Sequence, residues 1–431
     1  MLYDGFYGSD LGGWSYPRAS HVTPAWAYLL GYLLAGGVCA FAWLSRRLIH
    51  LRPRMVIAFW MLTGFLVQVA MLSLSSVEYD GIILSGVNGF YEVAARHSAR
   101  EFLQDFQTLS RDESFHVRAN LAGKVLFYHV LRWVTDSPRG IAWLILLISN
   151  LGGLLTYAIT TDLSRDRAAG LAALLLYLLL PAKLYFIPLL NTLSPVFILL
   201  PLWMLVRFCV TRRWSWLVGI GISLYWLVLF DPLPLVTGLV FLAVLARSCA
   251  RGELGFGNLV QVFVLVPTAF CGTAALVSRA YGYDLIEAGR FAFSEAREFN
   301  QLNQRPYAVW LVQNLIDFLV NTGIATSALF LVLSVRAGLR TILIGAQSGW
   351  RAVLVSDIPI TLSVLAVLVV LDGLGINRGE AIRLWIFLGV FITIPVAVYC
   401  SNRPLAFSLV ISAVLLQTCT TLSTREFMHP W

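Results

Sequence analysis

The sequence predicts an all-α protein, a polytopic transmembrane helical bundle of about 12 spans with a long extracytoplasmic loop carrying interfacial amphipathic helices. Three observations predict it. Of 431 residues, 58% are hydrophobic and 13% charged, where an ordinary soluble domain is about one quarter charged. Mean hydropathy is +0.77. Apolar runs of roughly 20 residues, each able to cross about 30 Å of hydrocarbon as a helix, recur from end to end. These runs are continuous, whereas the strands of a membrane barrel read as short alternating segments.

Arginine-rich turns orient the chain, because short cytoplasmic loops carry the excess positive charge. Arg46, Arg47, Arg52 and Arg54 follow the first run, and Arg165 and Arg167 the third. Arg207, Arg212 and Arg213, then Arg247 and Arg251, then Arg336, Arg340 and Arg351, and last Arg403 continue the series. Placing each group on every second loop predicts spans at 25–45, 55–75, 139–160, 168–188, 193–210, 215–230, 233–248, 258–279, 312–334, 353–371, 385–400 and 404–421, with both termini outside. The chain reads as one transmembrane domain over 1–431, with a first large extracytoplasmic loop at 76–138 and a second at 280–311. Both lysines, Lys124 and Lys183, fall on the outer side, as does nearly every isolated acid. No internal repeat occurs, and the chemistry gathers on one surface rather than at the bilayer midplane between related halves.

Composition excludes several function classes. The pI is near 9.3, but the basic residues are scattered over interhelical loops, so membrane topology explains them and no nucleic-acid partner is expected. The six cysteines lie in or beside apolar runs without CxxC spacing and read as packing residues. The histidines His21, His97, His116, His129 and His429 share the outer side but fit no HxxxH or HExxH pattern, so no metal site is assigned. No glycine-rich nucleotide motif stands beside a strand–helix unit, and no cofactor is expected. Met1 to Thr23 is polar and aromatic, so no cleavable signal is expected either.

Within the first loop, Phe102, Phe106 and Leu109 recur at helical spacing opposite Arg100, Glu101 and Asp105, the pattern of a helix lying in the interface plane. A second such helix is predicted from Asn120, as N-cap, through Val125, Tyr128, Leu131 and Trp133. Asp80 follows the second span closely, where the membrane boundary fixes its position, and a carboxylate there is placed to act as a general base. The alternative is a hydrated helix-end acid. Glu78 is the neighbouring candidate for the same role. Lys183 and Asn191, around Pro181 and Pro188, mark a kinked outer end suited to a lipid-phosphate groove. Asp231, in Phe230-Asp231-Pro232, either binds sugar or caps the helix that starts at Pro232.

Glu78 and Asp80, then Tyr91 and Ala94 as Tyr-x-x-Ala, then Gly123-Lys124 leading into an amphipathic helix, resemble the first extracytoplasmic loop of the GT-C glycosyltransferase superfamily. Here the acids are spelled Glu78-Tyr79-Asp80, and His116 and Asn120-Leu121-Ala122 stand where that family has His-Pro-Pro. A second match, Asn377-Arg378-Gly379-Glu380-Ala381-Ile382-Arg383-Leu384-Trp385, is similar to the Gly-Glu-x-x-Arg-hydrophobic-Trp motif of actinobacterial-type GT-C enzymes. Glu380 and Arg383, three apart, can share a helix face and hold the guanidinium fork toward a phosphate. A structural Glu–Arg pair is the competing reading. Arg305-Pro306-Tyr307 followed by Asn314 and Asp317 resembles a further stretch of that group, where a loop re-enters the membrane. Asn314 and Asp317 are expected to face inward, touching sugar hydroxyls or satisfying each other.

The resemblance implies an inverting transfer of a sugar from a polyprenyl-phosphate donor to a glycan, lipid or protein acceptor at the extracytoplasmic face. Asp80 or Glu78 would take the acceptor proton, while Arg383, with Arg378 or Lys124, would neutralise the departing lipid phosphate. Glu380, Asp231, Arg305, Asn314, Asp317 and Asn191 would complete the substrate site. A transporter or flippase of a lipid-linked saccharide is the rival, using the same groove without a general base.

Overall fold

A chain of apolar runs punctuated by proline, glycine and arginine folds as one helix after another, because inside hydrocarbon only a helix satisfies its own backbone. The computed structural model describes residues 7–18, 25–75, 78–85, 89–302 and 305–427, and the side chains of all but 299–302 among them. His21 and His429 lie outside the described residues. The first described element is an antiparallel hairpin, β1 (Gly8–Ser9) and β2 (Trp14–Ser15), closed by a 3-10 turn at Asp10–Gly12. Helices α1 (Ala25–Leu51) and α2 (Pro53–Leu72) follow, parted at Arg52 where Pro53 opens the second. Six short helices come next: α3 (Tyr79–Leu84), α4 (Gly89–Arg96), α5 (Ala99–Gln104), α6 (Phe106–Arg111), α7 (Phe115–Arg118) and α8 (Gly123–Arg132). The chain continues through α9 (Pro138–Ser164), α10 (Arg167–Leu178), α11 (Pro181–Tyr185), α12 (Ser194–Thr211), α13 (Ser215–Phe230), α14 (Gly238–Ala250) and α15 (Phe256–Tyr281). It closes with α16 (Leu285–Leu302), α17 (Tyr307–Asn321), α18 (Ile324–Val355), α19 (Ile358–Leu374), α20 (Ala381–Leu384), α21 (Ile386–Cys400) and α22 (Pro404–Thr424).

The result is an all-α bundle. Among the described residues, nine helical segments are long and apolar enough to cross a membrane, and α13, α19 and α21 are shorter apolar helices of 16, 17 and 15 residues. Helices α10 and α21 pack against each other at the centre, and α10 is buried at every residue from Ala168 to Leu178. An all-round apolar helix is what a central position requires. Turns between helices are tight: α9 starts with Ser137 accepting from the Gly140 amide, and Asp166 caps α10 by accepting from the Ala168 amide at 2.8 Å.

Three expectations from sequence need correction. The segment 312–334 is not one helix: α17 ends at Asn321, Gly323 takes φ +108, and α18 starts at Ile324. Gln417 of α22 sustains the break, since its Oε1 accepts from the Ile324 amide at 2.9 Å and its Nε2 donates to the Val320 carbonyl at 2.7 Å. Side-chain partners of this kind let a helix stop inside a bundle. The helix expected around Phe102, Phe106 and Leu109 is divided at Asp105 into α5 and α6, with Phe102 and Phe106 buried edge-to-face. Helix α8 starts at Gly123 with Ala122 as its N-cap, so Asn120 is not a cap.

Helices α4 to α8 do not lie loose. Phe90, Val93, Phe102, Phe106, Val125 and Tyr128 form a second hydrophobic core that continues into Tyr225 and Phe230 of α13 and Tyr283 before α16. The hairpin, α4, α7, α8, α16 and the turn 375–385 meet at one end of the bundle.

Candidate functional site

At that end a cavity of about 570 Å³ opens between α4, α7, α8, the segment 189–191, residues 228–236, α16 and the turn 371–384. Its walls are mostly apolar, from Phe90, Phe115, Leu233, Phe293, Leu371 and Leu374. An apolar pocket holding a few convergent charges is the usual form of a small-molecule site. Lys124, Asn191, Asp231, Arg305, Arg378, Glu380 and Arg383 all line it.

The turn after α19 builds one wall. Gly375 ends α19 at φ +57, and Gly379 follows at φ +83. A Cβ on Gly379 would lie 3.1 Å from the Trp310 ring and 3.3 Å from an Arg305 nitrogen, so close approach as well as conformation calls for glycine there. Glu380 itself is left-handed at φ +60, a conformation a non-glycine residue holds only where its surroundings fix it. Here they do. Its Oε1 accepts from Arg305 Nη2 at 3.0 Å, its Oε2 accepts from Arg383 Nη2, and the carboxylate is 5% exposed. Arg305 and Arg378 exchange bonds with each other's carbonyls, Nη1 of Arg305 to Arg378 O at 2.7 Å and Nη1 of Arg378 to Arg305 O at 3.1 Å. Asn314 clamps the same turn, donating to the Asn377 carbonyl at 2.8 Å and accepting from the Gly379 amide at 3.2 Å. Burial alone would raise the Glu380 carboxyl, but Arg383 and Arg305, aided by His116, outweigh it and hold it at about 2.

The facing wall comes from α7, α8 and the start of the 3-10 turn Leu233–Thr237. Asp231 is buried, its Oδ2 accepting from Ser194 Oγ at 2.6 Å and its Oδ1 from the Leu233 amide at 3.2 Å. Asp231 thus caps that turn and lines the cavity at once. Lys124 is buried in α8, with Nζ donating to Asn120 Oδ1 at 2.7 Å and lying 5.4 Å from the Phe90 ring centre. Asn120 in turn donates to the His116 carbonyl at 2.7 Å. Burial pulls the Lys124 amine below its ordinary value, Asp231 opposes the fall and Arg383 adds to it. Burial, then the Arg383 charge, bring the His116 imidazole down to about 4, with Glu380 opposing, so it is uncharged at neutral pH. Four cations, Lys124, Arg305, Arg378 and Arg383, therefore line the cavity against two carboxylates, Asp231 and Glu380. The surplus favours an anion.

Glu78, Asp80, Asn314, Asp317 and Lys183, all singled out from sequence, lie outside the lining. Glu78 precedes α3 on the surface, and Asp80 in α3 stands 3.6 Å from Arg139, both side chains solvent-accessible. Such a pair contributes little. Asn314 and Asp317 face inward but meet neither the cavity nor each other. Asp317 Oδ1 accepts from the Gly8 amide at 3.1 Å and from Gln313 at 2.6 Å. Lys183, buried in α11, donates to Asn150 Oδ1 at 2.6 Å and is absent from the cavity wall. From sequence, His116 and Asn120 stand only as family positions, Asn120 also as an expected helix cap, and Ser194 carries no signal. His116, Asn120 and Lys124 are marked by their four-residue spacing, which the local bonds between them use, whereas Ser194 reaches Asp231 only through the packing of α12 on α13. Among the described residues no three His, Cys, Asp or Glu side chains cluster as a metal site. No family model matches the chain, and no curated protein is similar to it.

Proposed function

We propose that the chain is an inverting membrane glycosyltransferase, moving a sugar from a polyprenyl-phosphate carrier to an acceptor hydroxyl of a glycan, lipid or protein at the extracytoplasmic face. On this reading all twelve apolar segments cross the bilayer, and the cavity end is the outer one. The observation that carries it is the meeting of Arg305, Arg378, Arg383 and Lys124 with Asp231 around one largely apolar cavity. Arginine forks suit a phosphate diester, and apolar walls suit the first units of a lipid tail.

The chemistry is a single displacement. The acceptor oxygen attacks the anomeric carbon and passes its proton to a carboxylate, while the anomeric C–O bond breaks and its electron pair moves onto the phosphate oxygen. Arg383, whose other partner is Glu380, meets that growing charge. The base role passes here from Asp80 and Glu78 to Asp231, the cavity acid oriented by Ser194 and Leu233. Glu380 is too weak a base, with its carboxyl held at about 2 by two guanidiniums. His116 stays neutral and is available to a sugar hydroxyl.

Purified protein assayed with a panel of polyprenyl-phosphate sugars tests the reading. Transfer is expected with one of them, and Arg383→Ala is expected to weaken donor binding and turnover together. Passage of a lipid-linked saccharide across vesicles without transfer would instead support a flippase.

A further inference from the structure

We infer that Trp14, on the N-terminal hairpin, is a positioning residue for Arg305 and, through it, for Glu380 and Arg383. The inference deepens the phosphate-binding reading above and rests on it. Arg305 is buried, and its guanidinium carbon lies 5.1 Å from the Trp14 ring centre. One edge of that guanidinium bonds Glu380 and the Arg378 carbonyl, so the indole face supplies a third restraint on the same group.

The hairpin is itself tied down where such a restraint needs it. Gly8 donates to Asp317 Oδ1 at 3.1 Å, Trp310 Nε1 donates to the Gly12 carbonyl at 2.9 Å, and Arg425 Nη1 donates to the Tyr16 carbonyl at 3.0 Å. The Trp310 ring is a shared wedge. A Cβ on Gly12 would meet it at 2.7 Å, and a Cβ on Gly379 at 3.1 Å. Hairpin, Trp310 and the Glu380 turn therefore form one continuous stack beside the cavity. This placement accounts for the inward-facing Asp317 and Trp310, which the proposed chemistry does not use. Both hold the hairpin that holds Arg305.

Two measurements on the full-length protein test the inference. The first is binding of an unlabelled polyprenyl phosphate to protein in lipid nanodiscs. Trp14→Ala is expected to weaken it roughly fivefold or more, and Trp14→Phe, which keeps a ring face, to restore most of the loss. The second is hydrogen exchange of the amides of Gly379, Arg383 and Leu384, which Trp14→Ala is expected to speed and Trp14→Phe to leave near the parent rate. Gly12→Ala, which pushes a methyl into the Trp310 ring, is expected to act in the same direction if Trp14→Ala fails to fold. Unchanged exchange in both Trp14→Ala and Gly12→Ala overturns the inference, as does a binding loss that Trp14→Phe does not rescue. Arg383→Ala separates the two readings. Full lipid-phosphate affinity in that variant removes the phosphate function, while the exchange rates still decide whether the hairpin positions the turn.

Discussion

Arg305 and Glu380, 75 residues apart in sequence, form an ion pair of 3.0 Å between side chains that are 3% and 5% exposed. Removing one member of a buried pair strands the other charge, which costs about 3–5 kcal/mol. Glu380→Gln leaves Arg305 and Arg383 facing each other and is expected to lower the thermal midpoint markedly. The sign with pH follows from the carboxyl, which stands at about 2 in the fold against 4.5 ordinarily. Stability from this group is fully present above about 4.5 and is lost as pH falls toward about 2. The variant is expected to lose that acid dependence, read by thermal unfolding in detergent across the window. A midpoint equal to the parent's would show that the pair does not hold the turn.

His116 titrates in the same direction for a different reason. Its imidazole stands at about 4 in the fold and 6.5 ordinarily, so between these values the unfolded chain binds a proton that the folded chain refuses. Stability therefore falls as pH drops from about 6.5 toward about 4. His116→Gln is expected to flatten that part of the profile while leaving the lower Glu380 window in place. A slope unchanged between pH 6.5 and 4 would place the protonation elsewhere.

Lys183 offers the opposite kind of test. It is fully buried, bonded to Asn150 Oδ1 and 4.8 Å from the Tyr177 ring centre, with no ion-pair partner among the described residues. Asn150 is held independently, exchanging bonds with Gln68 at 2.9 and 2.8 Å. Lys183→Met keeps the length of the side chain and removes an amine that is costly to bury. The expected result is a thermal midpoint equal to or above the parent's, with transfer activity retained. A large drop would mean that the amine is a structural keystone of α11.

The apolar runs were legible because crossing hydrocarbon imposes one local rule, and most predicted segments fall on single helices; α10 and α11 divide 168–188, 353–371 begins inside the end of α18, and 312–334 is displaced across the break between α17 and α18. That displacement was invisible because Gln417, almost a hundred residues away, satisfies both sides of the break. The Glu380–Arg383 pair was legible from its spacing, whereas Arg305 as the second partner of Glu380 is a tertiary fact. Asp80 shows the limit most clearly. The membrane boundary fixes its depth along the bundle axis, but not which way around the bundle it points. That direction depends on how α3 packs against α9, and the packing leaves Asp80 beside Arg139.

Depth without direction is also why two acids must be compared directly. Asp231→Asn keeps the side-chain shape and the acceptor for the Leu233 amide, turns the Ser194 bond around so that the new amide donates to Ser194 Oγ, and removes the basic carboxylate. On the proposed mechanism it is expected to lower sugar transfer by roughly 10²–10⁴-fold, the usual contribution of a general base, while the lipid phosphate still binds. Asp80→Asn, altering a solvent-accessible pair outside the cavity, is expected to stay within a few-fold of the parent. Both are measured at saturating donor, so that the comparison reads turnover rather than binding. If Asp80→Asn abolishes transfer and Asp231→Asn does not, the base role returns to α3, and the cavity must rearrange on binding to bring Asp80 to the acceptor.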